Sequence, residues 1–166
     1  MTSGSLRRWL VEHGIAYEHL MHEALWTCED VARVMPPDVD AVHTKNLFVR
    51  DKKGRRHWLL VTSCEKAVDL KAVADAIGVD NLSFASPDRL QRHLGVIPGA
   101  VTVMGLVHES AREVALLVDR DVWAAARLCC HPLVNDETLV IGHDGLVRFL
   151  ELTGHAPQIL TVPTRG

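Results

Sequence analysis

Apolar positions recur along the chain with two periods, and together these periods predict a mixture of helices and strands. A spacing of three or four residues, typical of one buried helix face, predicts helices at 5–13, 28–34, 69–78, 86–95, 122–129 and 146–152. Alternating or continuous short apolar runs predict strands at 15–20, 47–51, 57–63, 113–119, 138–141 and 159–162. The elements follow no regular β-α-β order, so we expect an α+β fold rather than a doubly wound sheet.

One predicted β-hairpin stands out, because its first strand is preceded by a single lysine. The strands 47–51 and 57–63 flank the turn Asp51-Lys52-Lys53-Gly54, as expected for a hairpin. Lys45 lies where the first strand begins, so its stem can lie beside the core while its ammonium reaches a cleft. Position alone also fits an ordinary exposed lysine.

A glycine-rich stretch at 95–105 is the second candidate for chemistry. Gly99, Ala100, Val101 and Thr102 are small residues, so a ligand can approach their backbone closely. Free N–H groups in such a loop can bind a carbonyl oxygen or hold a water molecule. The stretch lacks the G-x-G-x-x-G order of dinucleotide sites. It also fits a tight turn between a helix and a strand.

Composition and charge narrow the function classes. The 166 residues, 48% apolar and 23% charged, fit one domain spanning 1–166. A net charge of −3 excludes a general polyanion binder, so any contact with a nucleic acid must be local. Basic residues cluster around the hairpin turn, and the simpler interpretation of this cluster is a hairpin tip exposed to solvent. No uncharged apolar run is long enough for a bilayer, and no signal peptide is recognisable, so we expect a cytoplasmic protein without a membrane partner.

The cysteines show no pattern of a secreted disulfide framework. We therefore expect Cys28, Cys64, Cys129 and Cys130 to be reduced thiols, with Cys64 a buried apolar thiol. Cys129 and Cys130 precede His131, which suggests zinc, but adjacent ligands rarely fit a tetrahedron. No metal or other cofactor is therefore expected, and a metal-dependent hydrolase stays as an alternative.

Three stretches, 43–48, 94–102 and 131–136, occur together in an order that resembles a known family. The chain is similar to the YbaK-like and prolyl-tRNA-synthetase-associated editing domains, above all to the free-standing branch that deacylates alanyl-tRNA(Pro). The resemblance implies an α+β fold in which a curved, mixed, largely antiparallel sheet with flanking helices holds a small pocket. It also implies hydrolysis of a mischarged tRNA(Pro) ester by a water molecule that loop backbone and a ribose hydroxyl position.

The resemblance also implies roles for individual residues. Lys45 would grip the acylated 3′ end, and the loop from Gly99 to Thr102, with Ala100 and Val101, would cradle the scissile ester. The implied substrate-binding residues are His22, Trp26, Thr44, Asn46, His131 and Asn135. The implied partner is the tRNA(Pro) acceptor end, with prolyl-tRNA synthetase or an elongation factor as further partners.

Val103 departs from the family, whose loop often has proline at this position. Proline would fix the local φ and valine does not, so the stiffness of the loop and the amino acid accepted stay open. Serine, threonine, 2-aminobutyrate and cysteine are alternatives to alanine. A catalytically weak module that binds tRNA or a synthetase is the alternative outside the enzyme class.

Overall fold

The computed structural model describes all 166 residues, which form six α-helices, two short 3₁₀ segments and eight strands. The α-helices are α1 Ser3–Glu12, α2 Cys28–Val34, α3 Leu70–Ile77, α4 Pro87–Leu94, α5 Arg120–Ala124 and α6 His143–Thr153. The strands are β1 Glu18–Met21, β2 Val42–Arg50, β3 His57–Ser63, β4 Ser83–Phe84, β5 Ala115–Asp119, β6 Arg127–Cys130, β7 Glu137–Gly142 and β8 Gln158–Leu160. The 3₁₀ segments are Val103–Val107 and Glu109–Ala111. None of the helices combines the length and the apolar composition that a membrane crossing requires.

All strands belong to one sheet of order β1-β7-β6-β2-β3-β5-β8, with β4 also paired to β2. The pairs β1/β7, β6/β7, β2/β3 and β2/β4 are antiparallel, whereas β2/β6, β3/β5 and β5/β8 are parallel. The predicted α+β fold with a mixed, mostly antiparallel sheet is therefore confirmed, as is the hairpin β2–β3.

The strand period of two divides the buried residues between the two faces of the sheet. Phe48 and Leu59 are register partners in the larger core cluster, which α1, α4 and α6 cover. The next pair, Val49 and Trp58, belongs to the smaller cluster on the opposite face, which α3 covers. Helices on both faces thus hold β2 and β3 in the middle of the molecule.

The helix predicted at 122–129 is wrong. The α5 helix ends at Ala124, and Arg127–Cys130 form β6. Leu128, Cys129 and Cys130 are buried and pair with the apolar strand β7. A run of alanines favours a helix locally, but pairing with β7 and β2 wins because it buries this apolar segment.

The second edge of β2 has a gap that creates room for a site. β2 pairs with β6 only at Val42 and His43, and with β4 only at Val49 and Arg50. The segment 44–48 between these pairings has no strand neighbour on that side. The candidate lysine lies in this gap, several residues inside β2 rather than before it as the sequence predicted.

Candidate active site

A cleft opens at the gap along β2. Its lining residues come from five parts of the chain: β2, α2 with the residues before it, the residue after β3, the loop after α4 and the segment after β6. They are Leu25, Trp26, Thr27, Cys28, Val31, Thr44, Lys45, Asn46, Cys64, Gly99, Val101 and His131. The open space measures about 800 Å³. A narrower recess of about 320 Å³ shares Thr44, Asn46 and His131 and continues to Met35 and Thr138. The arrangement is an open cleft with a small inner recess.

Lys45 is the one ammonium group that lines this cleft. Its Nζ donates a hydrogen bond to the carbonyl of Lys66 and forms no ion pair with a carboxylate. Partial burial lowers the pKa of Lys45 below its usual value, and the positive charge of Arg165 lowers it further. A cation that has lost part of its hydration attracts a negative ligand more strongly than a fully hydrated cation does.

A buried ion pair fixes the segment that holds Lys45. The Lys66 ammonium lies 2.6 Å from the Asp119 carboxylate and 3.2 Å from that of Asp121. Asp119 is fully buried and accepts a 2.7 Å hydrogen bond from the Thr62 hydroxyl. Burial alone would raise the pKa of Asp119, but the hydrogen bonds from Lys66 and Thr62 outweigh it and the pKa lies below the ordinary value. The carbonyl that accepts from Lys45 is thereby anchored to the core.

Thr44 and Asn46, on either side of the lysine, differ in what they contact. The Thr44 hydroxyl donates to the carbonyl of Cys129 at 2.6 Å, which ties β2 to β6. The Oδ1 atom of Asn46 is buried and has no hydrogen-bond partner. A buried acceptor without a partner is costly, so this oxygen is suited to accept an N–H or O–H group of a ligand.

Two residues of the loop 99–102, Gly99 and Val101, line the cleft. Gly99 has φ +91°, and a Cβ atom there would lie 2.6 Å from Cε3 of Trp26. Glycine is therefore required both for the backbone conformation and for the contact with the indole ring. The N–H groups of Gly99 and Val101 donate no hydrogen bond within the protein, whereas that of Ala100 donates to Ile97. Two free donors thus remain on the residues of this loop that line the cleft.

Ala100 and Thr102, two other candidates, have buried side chains that do not line the cleft. The Thr102 hydroxyl donates to the carbonyl of His131 at 2.6 Å and accepts from the N–H of Met104 at 3.1 Å. It thereby caps the first 3₁₀ segment and holds the loop against the opposite wall. Val103 is the buried first residue of that segment, a position at which a helix does not need proline to begin.

His131 lines the cleft as a neutral imidazole. Its Nδ1–H donates to the carbonyl of Glu137 at 2.9 Å, which leaves Nε2 as an acceptor. Burial lowers the pKa of His131, and this effect exceeds the opposing hydrogen bond to Glu137. His22 lies behind it, with ring centroids 6.5 Å apart, and bonds to Thr138 at 2.8 Å and to the carbonyl of Glu23 at 2.7 Å.

His22 and Asn135 do not line the cleft but brace the segment before α2. The Asn135 amide donates to the carbonyl of Leu25 at 3.2 Å, and the Leu25 N–H returns a 2.9 Å bond to the Asn135 carbonyl. Trp26, by contrast, is 62% exposed at the cleft. The backbone N–H of Trp26 donates a 2.9 Å hydrogen bond to the Asp30 carboxylate, so the main chain that carries the indole is held in place.

The expectation of reduced thiols is wrong for one pair of cysteines. Cys28 and Cys64 form a disulfide across the cleft wall, with Cα atoms 5.5 Å apart, and Cys64 is half-buried rather than an apolar thiol of the core. Their separation of 36 residues carries no local signal. Cys129 and Cys130 are free and buried, and burial raises the pKa of Cys129 to about 11.

The zinc hypothesis requires at least three metal-binding side chains close together. No group of three His, Cys, Asp or Glu residues is arranged to hold a metal ion. Sequence reasoning also missed the apolar wall of the cleft and recess, Leu25, Val31 and Met35. The helical spacing of Val31 was the available signal, but it also fits an ordinary core face. Lys66 had no signal, since its role depends on Asp119, far away in the chain.

Comparisons with known proteins find related sequences over most of the chain. A family model described as an aminoacyl-tRNA editing domain matches residues 22–149, which include all three stretches that carry the resemblance. The chain is 35% identical over 146 residues to the prolyl-tRNA editing protein ProX of Acetoanaerobium sticklandii, covering 88% of each protein. It is 32% identical over 160 residues to the prolyl-tRNA synthetase associated domain-containing protein 1 of Danio rerio, covering 94% of this chain and 85% of that protein.

Solved structures share the fold. A crystal structure described as a candidate trans-editing enzyme for prolyl tRNA synthetase superposes with a TM-score of 0.73, covering 100% of this chain and 99% of the other. The sequence identity of that pair is 18%, so the similarity shows the architecture and not the activity.

Proposed function

The chain belongs to the aminoacyl-tRNA editing domain family, and from this premise we propose that it is a trans-editing deacylase acting on mischarged tRNA(Pro). It hydrolyses the ester between the terminal adenosine and a small wrong amino acid, above all alanine. The observation that carries the proposal is the convergence on one cleft of Lys45, the unpartnered Oδ1 of Asn46 and the free N–H groups of Gly99 and Val101.

The cleft suits attack by water rather than by a protein nucleophile. Both cysteines that line it are joined in the disulfide. Water adds to the ester carbonyl, and the N–H groups of Gly99 and Val101 bind the oxygen on which negative charge develops. The carbon–oxygen bond to the ribose then breaks, and the ribose oxygen leaves with a proton from the attacking water. The products are the free amino acid and a tRNA with its 3′-hydroxyl restored.

Lys45 and Asn46 orient the substrate in this scheme. The partly desolvated ammonium of Lys45 attracts the ester carbonyl or the terminal phosphate, and Oδ1 of Asn46 accepts from the amino group or a ribose hydroxyl. Positioning and electrostatic stabilisation of this kind contribute several kcal/mol to lowering a barrier, of which one donor accounts for about 3 kcal/mol. The scheme needs no cofactor.

Selectivity follows from the size of the inner recess. The apolar residues Leu25, Val31 and Met35 line it beside His131 and Thr138, which suits a methyl group better than the ring of proline. One additional buried methylene is worth only about 1 kcal/mol, so rejection by size separates alanine from proline better than attraction does. Serine, threonine, 2-aminobutyrate and cysteine remain alternative small substrates on the same grounds.

The proposal extends to the setting of the reaction. The 166 residues act as one editing domain on the tRNA(Pro) acceptor end, in the cytoplasm where charged tRNA is used. Prolyl-tRNA synthetase or an elongation factor is the partner expected to hand over the tRNA. The alternative outside the enzyme class is a catalytically weak module that binds tRNA or a synthetase, for which Val103 is the sequence argument.

The direct experiment measures hydrolysis of tRNA(Pro) charged separately with alanine, serine, threonine, 2-aminobutyrate, cysteine and proline. We expect rapid release of alanine and slow release of proline by the unmodified protein, and release of alanine slowed by about 10²–10³-fold in the Lys45→Ala variant. Folded protein that binds the charged tRNA and releases no amino acid would refute the deacylase and favour the binding module. A preparation treated with chelator should keep its full activity, whereas loss of activity would restore the metal-dependent alternative.

A further inference from the structure

The hairpin turn that begins where β2 ends carries a concentration of positive charge. We define the basic patch as five residues of the turn together with two residues of α4: Arg50, Lys52, Lys53, Arg55, Arg56, Arg89 and Arg92. These seven are drawn from 18 Lys and Arg residues in a chain whose net charge is −3. The rest of the molecule is therefore strongly acidic, and the charge is segregated rather than spread evenly.

No member of the basic patch forms an ion pair, whereas five of the eleven other Lys and Arg residues are paired with a carboxylate: Arg7, Arg33, Lys66, Arg112 and Arg127. The one acidic residue of the turn, Asp51, uses a carboxylate oxygen to accept the N–H groups of Arg55 and Arg56, at 2.8 and 3.2 Å. Asp51 thus shapes the turn through backbone hydrogen bonds and forms no ion pair with the basic side chains. The positive charge remains available to a ligand.

The fold adds α4 to the turn and forms a groove. Arg89 donates to the carbonyl of Gly54 at 2.9 Å and lies 3.0 Å from Nε2 of His57, so the helix is fastened to the hairpin. Arg55, Arg89 and Arg92 line a groove of about 530 Å³, in which Glu113 is the only acidic residue. The guanidinium carbon of Arg56 lies 4.6 Å from the centre of the Trp58 ring. The guanidinium groups are thereby partly pre-oriented.

We propose that the basic patch binds phosphates of the tRNA acceptor arm while the cleft holds the acylated 3′ end; this rests on the proposed function. Arg and Lys side chains suit a phosphate backbone, whereas protein interfaces concentrate aromatic and aliphatic anchors. β2 links the two sites directly. From Lys45 to Arg50 the strand spans about 16 Å, a distance that a few nucleotides cross.

The test neutralises three exposed residues of the basic patch whose side chains form no hydrogen bond or ion pair within the protein: Lys52→Gln, Lys53→Gln and Arg55→Gln. The matched control neutralises three exposed residues elsewhere, Arg8→Gln, Lys71→Gln and Arg148→Gln, so the net charge changes equally. The Kd for uncharged tRNA(Pro) is measured over a range of salt concentrations for both variants and the unmodified protein. Alanine release is measured from alanyl-tRNA(Pro) and from the alanyl ester of a CCA trinucleotide that has no stem.

We expect the patch variant to bind tRNA at least about tenfold more weakly at low salt, with a salt slope smaller by about two to three. Its KM for alanyl-tRNA(Pro) should rise while kcat and the rate on the trinucleotide ester stay unchanged. Equal affinity and slope for patch and control variants would overturn the proposal. Loss of binding to prolyl-tRNA synthetase with tRNA affinity intact would instead make the patch a protein surface, and would also overturn it.

The experiment separates this proposal from the deacylase function. Failure of the unmodified protein to release alanine from either substrate would refute the deacylase, while the binding measurement would still decide whether the basic patch contacts tRNA. Thermal unfolding of both variants verifies that the turn substitutions leave the fold intact.

Discussion

Both ends of β2 carry positive charge, but the charge is partly buried at one end and exposed to solvent at the other. At the cleft end, Lys45 is half-buried, donates to a fixed carbonyl and has a lowered pKa because burial removes hydration. At the turn end, Lys52 and Lys53 are exposed and contact no carboxylate. Because electrostatic interactions are stronger where water is excluded, one residue should dominate at the cleft, while at the turn only the sum should matter.

The cleft end is also held by more cross-links than the turn end. The cleft is braced by the Cys28–Cys64 disulfide and by the hydroxyls of Thr44 and Thr102, each bonded to a backbone carbonyl on the opposite wall. The turn depends on Arg89 as its cross-link to α4. A rigid site suits chemistry, where small displacements are costly, and a looser one suffices for binding phosphates.

The largest expected effect is that of Lys45→Ala, set against Lys53→Ala at the other end of the hairpin strand. We expect kcat/KM for alanyl-tRNA(Pro) to fall by about 10²–10³-fold in the first variant and by less than about threefold in the second. The thermal midpoints of both should match the unmodified protein. If the two variants were equally active, Lys45 would not be part of the active site, and the contrast between the two ends of β2 would be refuted.

The next effect concerns the backbone of the loop, through Gly99→Ala and its control Gly78→Ala. Both glycines have positive φ, but a Cβ atom meets the Trp26 ring only at Gly99, and at Gly78 there is open space within 4 Å. Each variant should lose about 1 kcal/mol of stability from backbone strain. Only Gly99→Ala should lose activity, by about tenfold or more, because the ring or the loop must move.

If deacylation by Gly99→Ala equals that of Gly78→Ala, the free N–H groups of the loop do not hold the reacting ester. Replacing Trp26 as well, as Gly99→Ala with Trp26→Ala, relieves the collision. Recovery of activity in that double variant would show that contact with the indole, rather than φ, causes the loss.

A smaller effect on chemistry, but a clear one on stability, is expected from the disulfide. Cys28→Ser should lower the free energy of unfolding by about 3–4 kcal/mol, because the closed loop spans 36 residues and its loss frees the unfolded chain. The thermal midpoint would then fall by about 10 °C. Treating the unmodified protein with a reductant should reproduce the shift, and a reductant should not shift Cys28→Ser further. A midpoint insensitive to both changes would contradict the bridge.

The smallest effect is that of a single neutralisation at the turn. Lys52→Gln alone should weaken tRNA binding by about twofold to threefold and reduce the salt slope by about one, since one phosphate contact is lost. Effects of Lys52→Gln and Lys53→Gln should add, because both side chains are solvated and share no partner. A single substitution that abolished binding would show that the turn, too, contains one dominant residue.

The boundaries of α2 and α3 were predictable because the residues that cap these helices lie close to them in the chain. Thr27 and Asp30 form the capping box that starts α2 at Cys28, and Asp69 and Gly78 bound α3. The segment 122–129 was not predictable in this way. Its alanines favour a helix, and only the partner strands β7 and β2 decide that Leu128 to Cys130 are extended.

The sequence by itself determined the caps of α2 and α3 and the strand alternation, because these signals act between residues close together in the chain. The motif with Lys45, Asn46 and Gly99 was recognised from the order of its stretches along the chain. Only the tertiary structure decided that Cys28 meets Cys64, that Lys45 donates to Lys66 above the buried Asp119, and that Arg89 joins the turn at Gly54. Each of these contacts joins separate elements of the chain. Their formation depends on how the sheet brings those elements together, which no local preference encodes.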